Sequence, residues 1–189
     1  MAGPLDNFSR TLDRNNIDPT ISEYIRLLRE IPLSIETSTI FDLMHHFKRK
    51  KIYTGPHHGV TLFEAFNRIM TDLTILFGVK KLLKEDIEIF GATFDNYQVE
   101  FGNENKQKHD ICAFNGRVHL IGEAFNVAQS FFNGKKASSL KKLRKNNEHK
   151  NKIILLVYNE DAVDHSYRPK RNNGEFHLPV AIGDISSFG

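Results

Sequence analysis

The stretch His109–Asn126, HDICAFNGRVHLIGEAFN, decides how this chain is read. Two apolar runs flank Asn115-Gly116, a dipeptide that accepts positive φ and is the strongest short hairpin signal in a sequence. Each run carries a carboxylate, Asp110 at the start of the first and Glu123 near the end of the second. Side chains alternate along a strand, so Glu123 shares a face with His119, Ile121 and Phe125, while Leu120 and Gly122 take the other. A turn at Asn115-Gly116 pairs Ile111 with Leu120, brings Asp110 close to Ile121 and leaves it diagonal to Glu123. The two carboxylates then converge at the open end of the hairpin. Buried together they repel, and each is costly to desolvate without a partner. A divalent cation answers both problems. Oxygen ligands with open water positions suit Mg²⁺, which polarises a phosphoryl oxygen and activates water. The plainer alternative has Asp110 capping a strand or pairing with a lysine, and Glu123 at an exposed strand end.

Outward from the hairpin, the periodicity changes on both sides. Ile21, Tyr24, Ile25, Leu27 and Leu28 predict an amphipathic helix ending near Pro32, and a second helix is expected from about Ser38 to Lys50. Val60–Glu85 repeats its apolar residues at helical spacing, opens with Thr61 and Glu64 in capping-box positions, and meets a candidate break at Gly78. Ile87–Phe94 and Tyr97–Gly102 read as strands. A helix over SSLKKLRKNNEH follows the hairpin, after a turn at Asn133-Gly134. KIILLVYN, Lys152–Asn159, is a run of apolar residues suited to a central strand covered on both faces, and LPVAIGDI adds an edge strand. The expected fold is α/β: a mixed central β-sheet flanked by helices, in the order α-β-β-β-α-β, with an N-terminal helical extension. The expected division is an N-terminal helical segment over residues 1–55 packed on an α/β core over 56–189, as one domain overall.

The chain has 189 residues, 40% of them hydrophobic, enough for a core and against wholesale disorder. A single cysteine, Cys112, excludes an internal disulfide framework and any Cys-rich zinc site, and predicts a reducing, cytoplasmic setting. No apolar run approaches the roughly 20 residues that span a bilayer, and the N-terminus lacks the apolar stretch of a secretory signal. Net charge is only +3, but it is unevenly spread. Lys135–Lys152 holds eight Lys/Arg residues against one acid, and a second cluster, KRKK, spans Lys48–Lys51. Two such clusters point to a polyanionic partner; solvated helix ends are the plainer reading.

An aspartate, a turn and a strand ending in an acid, within an α-β-β-β-α-β order, resemble the PD-(D/E)xK nuclease superfamily, which includes the type II restriction endonucleases. The resemblance covers about Thr61–Asn159. It implies a metal-dependent endonuclease that hydrolyses phosphodiester bonds of double-stranded DNA, with Mg²⁺ as cofactor. Glu64, Asp110 and Glu123 would be the metal ligands, with Asp110 and Glu123 also catalytic. The departure is the motif lysine, whose position, two residues after Glu123, holds Phe125. Asn126, Gln129, Lys135 and Lys136 are candidate substitutes, with the lysine pair ranked first on chemistry. If none serves, the alternative is a non-catalytic nucleic-acid-binding or interaction protein on a degenerate nuclease fold.

Candidate DNA contacts are Lys141, Lys142, Arg144 and Lys145 in the basic segment, and Arg168, Lys170, Arg171, Asn172 and Asn173 in the loop DHSYRPKRNNG. A palindromic target would imply a symmetric homodimer, with the N-terminal helices as its contact. His45-His46 is a poor chelate because neighbours on a helix point apart. His57-His58 sits in a loop within reach of a phosphate, with plain solvation as the other reading.

Overall fold

Side-chain caps start two of the helices. Thr61 Oγ1 accepts from the Glu64 N–H at 3.2 Å and opens α3 (Leu62–Lys84), and Thr39 Oγ1 accepts from the Asp42 N–H at 3.1 Å and opens α2 (Ile40–Arg49). The computed structural model describes residues 4–102, 107–146 and 151–182. Its other elements are β1 (Thr11–Asp13), α1 (Ile17–Arg29), β2 (Asn96–Val99), β3 (Ile111–Phe114), β4 (His119–Phe125), α4 (Gln129–Lys145), β5 (Lys152–Asn159), β6 (Arg171–Asn172) and β7 (Glu175–Val180). Among the described residues the strands form one seven-stranded mixed sheet in the order β1-β2-β3-β4-β5-β7-β6. β4, β5 and β7 run parallel; the other pairs are antiparallel.

Strand alternation sorts side chains into two cores. On one face Leu120, Leu155 and Val157 pack with α1 (Ile17, Ile21, Tyr24, Ile25) and α3 (Leu73, Leu76, Val79, Leu83). On the other, Ile121, Phe125, Ile154, Leu156 and Tyr158 pack under Phe132, Leu140 and Leu143 of α4. β5, read from its unbroken apolar run as central, is buried from Ile153 to Asn159. An α/β class with a mixed sheet between helices is therefore what the chain forms.

Several elements differ from the sequence reading. The N-terminal segment is not helix alone: β1 pairs with β2 at one edge of the sheet. Ile87–Phe94 is no strand; Phe90 (φ 52°) and Gly91 (φ 78°) turn the chain so tightly that Ile89 and Ala92 bond each other. Gly78 neither breaks nor ends α3. It lets the helix approach the sheet, since a Cβ there would lie 2.6 Å from Val157 Cγ1. α4 begins at Gln129, so Asn133-Gly134 lies inside the helix, because burying Phe132 at helical spacing from Leu140 and Leu143 outweighs the turn preference of that dipeptide. The C-terminal strand lies inside the sheet, with the short β6 outside it. α2 buries no residue fully and points Ile40, Phe41 and Met44 outward. No helix among the described residues is long and apolar enough to cross a membrane.

Candidate active site

The hairpin closes differently from a two-residue turn. Asn115 Oδ1 accepts from the N–H groups of Arg117 and Val118, at 3.2 and 3.0 Å, and Gly116 takes φ 87°. The loop then spans four residues, Phe114 pairs with His119, and Ile111 pairs with Gly122 rather than Leu120. A shift of two residues keeps every side chain on its expected face. It also moves Asp110 from a diagonal position to one directly opposite Glu123, one step beyond the Ile111–Gly122 pair.

Both carboxylates are largely out of solvent, at the ends of their strands. Glu123 is 8% exposed. Asp110 Oδ2 accepts from the Ala124 N–H at 2.8 Å, and the Glu100 N–H donates to the Asp110 carbonyl at 3.0 Å. Burial, and then the neighbouring Glu123 carboxylate, push the Asp110 carboxyl up to about 6, against the pull of the Ala124 N–H, Lys142 and Lys135. Glu123 Oε1 receives two donors, Lys142 Nζ at 2.8 Å and His109 Nδ1 at 3.2 Å.

The pair opens into a cleft of about 760 Å³ between α3, the ends of β2 and β4, and α4. α3 contributes Phe63, Glu64, Asn67, Arg68 and Thr71; α4 contributes Lys135, Ser138, Ser139 and Lys142. Four carboxylates, Glu64, Glu100, Asp110 and Glu123, line it against three bases, Arg68, Lys135 and Lys142. Glu64, expected as a third metal ligand, reaches this cleft, but its carboxylate is held by Arg68 Nη2 at 2.5 Å, one turn along α3. Among the described residues no group of three His, Cys, Asp or Glu side chains converges on one metal position. The donor set still fits Mg²⁺, which is commonly held by one or two carboxylates and completes its shell with water and substrate phosphate.

Phe125 stands at the position of the missing lysine because the core claims it: the ring is 2% exposed and stacks on Tyr158 at 6.0 Å. Of the proposed substitutes, Asn126 and Lys135 line the cleft, and Lys135 Nζ lies 6.0 Å from the Phe125 ring centre. Lys136 is not brought there. It points over the rings of Phe132 and Tyr167, at 5.0 and 5.3 Å. Gln129 does not line the cleft either. Lys142, read from sequence only as a DNA contact, supplies a cation directly beside Glu123.

The other expected DNA contacts divide into three groups. Lys141 and Lys145 are exposed on α4. Arg144 and Lys170 instead clamp the buried Glu175 carboxylate at 2.6 and 2.8 Å. Burial works to raise that carboxyl, but the two cations outweigh it and hold it below the usual range. Arg168 donates to the carbonyls of His165 and Tyr167, Arg171 lies over the Phe176 ring at 4.9 Å, and Asn172 ends β6 before the exposed turn that begins at Asn173, at φ 53°. His57 is buried rather than solvated. Its Nε2 lies 2.8 Å from Asp72 Oδ2, which also accepts from the Tyr24 hydroxyl at 2.7 Å, while Asp72 Oδ1 accepts from the Gly102 N–H at 2.9 Å.

Sequence reasoning missed Glu100, His109 and the placing of Lys142. An acid near the end of the strand beside Asp110 was a signal for Glu100. His109 and Lys142 depend on how α4 packs, which no local pattern announces. No family model, curated protein or solved structure matches the chain.

Proposed function

We propose that the chain is a Mg²⁺-dependent endonuclease acting on double-stranded DNA, with Asp110 and Glu123 holding the metal. The observation that supports this reading is the opposed pair of a buried Glu123 and a partly buried Asp110 opening into a cleft whose nearest cation is Lys142. Bound between them, the metal would polarise the phosphoryl oxygen and activate the attacking water. The chain's own residues do the rest. The Ala124 N–H fixes the Asp110 carboxylate. Lys142, half-exposed and with three donors, takes the task that Phe125 cannot, orienting the water or stabilising charge on the phosphate. Lys135 adds positive charge in the same cleft, and Lys141 and Lys145 face outward from α4 to meet the DNA backbone. A palindromic target implies a homodimer, for which the outward apolar face of α2 offers surface.

The test is supercoiled plasmid with Mg²⁺. Nicking and linearisation are expected from the wild type and only background cutting from Glu123→Ala and Asp110→Ala, with circular dichroism unchanged. One observation favours a second reading, binding without hydrolysis: Lys142 and Arg68 already sit on two of the cleft's acids. Salt-sensitive DNA binding with no cutting in either Mg²⁺ or Mn²⁺ would select that reading.

A further inference from the structure

His109 is 3% exposed, lies directly before Asp110, and plays no part in the scheme above. Its two ring nitrogens are both engaged. Asn146 Nδ2 donates to Nε2 at 2.8 Å, which leaves the ring proton on Nδ1, and Nδ1 donates to Glu123 Oε1 at 3.2 Å. Asn146 caps the C-terminal end of α4, and Lys152 Nζ at the start of β5 donates to its carbonyl. A line of contacts thus runs from β5 through the end of α4 to the Glu123 carboxylate on β4.

Each carboxylate has one oxygen held by the protein. Asp110 Oδ2 is taken by the Ala124 N–H, and Glu123 Oε1 by His109 and Lys142. Among the described residues Asp110 Oδ1 and Glu123 Oε2 have no hydrogen-bond donor. Of the two groups on Oε1, Lys142 is half-exposed and can swing to a phosphate, whereas His109 is enclosed and braced by Asn146.

We infer that His109 is a positioning residue: by holding Glu123 Oε1 through Nδ1–H, it presents Oε2, with Asp110 Oδ1, to a divalent cation. The role rests on the metal reading proposed above. Hydrogen-bond partners of this kind fix the orientation of a metal ligand, and their loss typically costs ~10–100-fold in metal affinity.

The experiment is Mn²⁺ binding to the full chain without nucleic acid, followed by electron paramagnetic resonance. His109→Leu, folded by circular dichroism and urea unfolding, is expected to bind ~10–100-fold more weakly than wild type. His109→Asn, whose Nδ2 reaches the place of Nδ1–H, is expected to restore most of the affinity, which a merely space-filling role would not produce. In the metal-free wild type, the long-range ¹H–¹⁵N spectrum of the imidazoles is expected to show His109 protonated on Nδ1; this reading stands even if His109→Leu fails to fold. Three results overturn the inference alone: a folded His109→Leu that binds Mn²⁺ like wild type, an Asn variant no better than the Leu variant, or a proton on Nε2. Wild-type protein that takes up no Mn²⁺ overturns the metal reading, and this role with it.

Discussion

At the scale of single residues, the ionised form of Asp110 works against stability. Its carboxyl sits at about 6 in the folded chain against 3.8 for an ordinary aspartate. The folded state therefore prefers the protonated form. The stability this contributes is complete below about pH 4 and is lost as pH rises through 6. Asp110→Asn keeps an acceptor for the Ala124 N–H and carries no charge. It is expected to unfold at higher urea than wild type at pH 8, by up to about 3 kcal/mol, with the gain gone below pH 4. The same variant should lose metal-dependent cutting. Lys142 gives the complementary case. Lys142→Ala removes the cation nearest Glu123 and should lower kcat ~10²–10³-fold, while Lys136→Ala, over the rings of Phe132 and Tyr167, should leave kcat near wild type. Steady-state plasmid cleavage at saturating substrate compares the two.

At the scale of elements, two helical glycines have opposite roles. Gly134 lies in α4 with nothing within 4 Å of an added Cβ, so Gly134→Ala should stabilise by ~0.5–1 kcal/mol through helix propensity. Gly78 lies where α3 meets β5, against Val157, which is fully buried, and Gly78→Ala should destabilise by ~1–3 kcal/mol through overpacking. Urea midpoints of the two variants check the contrast; a Gly78→Ala chain as stable as wild type would mean that α3 and β5 do not approach so closely. The hairpin shows how an element-level reading moves. Asn-Gly correctly marked the turn, but the Asn115 side chain captured two further N–H groups and lengthened it. That local hydrogen bonding, not the apolar pattern, set Asp110 opposite Glu123.

At the scale of the whole molecule, the α4 face of the sheet carries two ionisable groups, on β7 and beside β3, that respond to pH in opposite senses. His177, on β7 among Tyr158, Tyr167 and the Glu175 clamp, is lowered to about 4 chiefly by burial. Its contribution is complete above its ordinary value of 6.5 and is lost as pH falls towards 4. Asp110 loses stability in the other direction across nearly the same window. The two partly offset each other in the wild type, so Asp110→Asn should show the steeper fall in melting temperature between pH 6.5 and 4. Thermal melts across that range, variant against wild type, test this; parallel curves would refute it.

The amino-acid sequence by itself determined what depends on neighbours along the chain. It settled the two strands around Asn115-Gly116, their faces, the buried run of β5, the capped start of α3 and the two acids of the hairpin. Periodicity and turn chemistry act within a few residues, so they are legible there. Tertiary structure alone decided the rest. Burial of Phe132 carried α4 through Asn133-Gly134, and packing took Phe125 into the core. The path of α4 across β4 and β5 then brought Lys142 and Asn146 to Glu123 and His109, while Arg144 and Lys170 were engaged by the buried Glu175 carboxylate. Which cation meets which carboxylate depends on contacts between residues distant in sequence, and the free energy of those contacts exists only once the layers have packed.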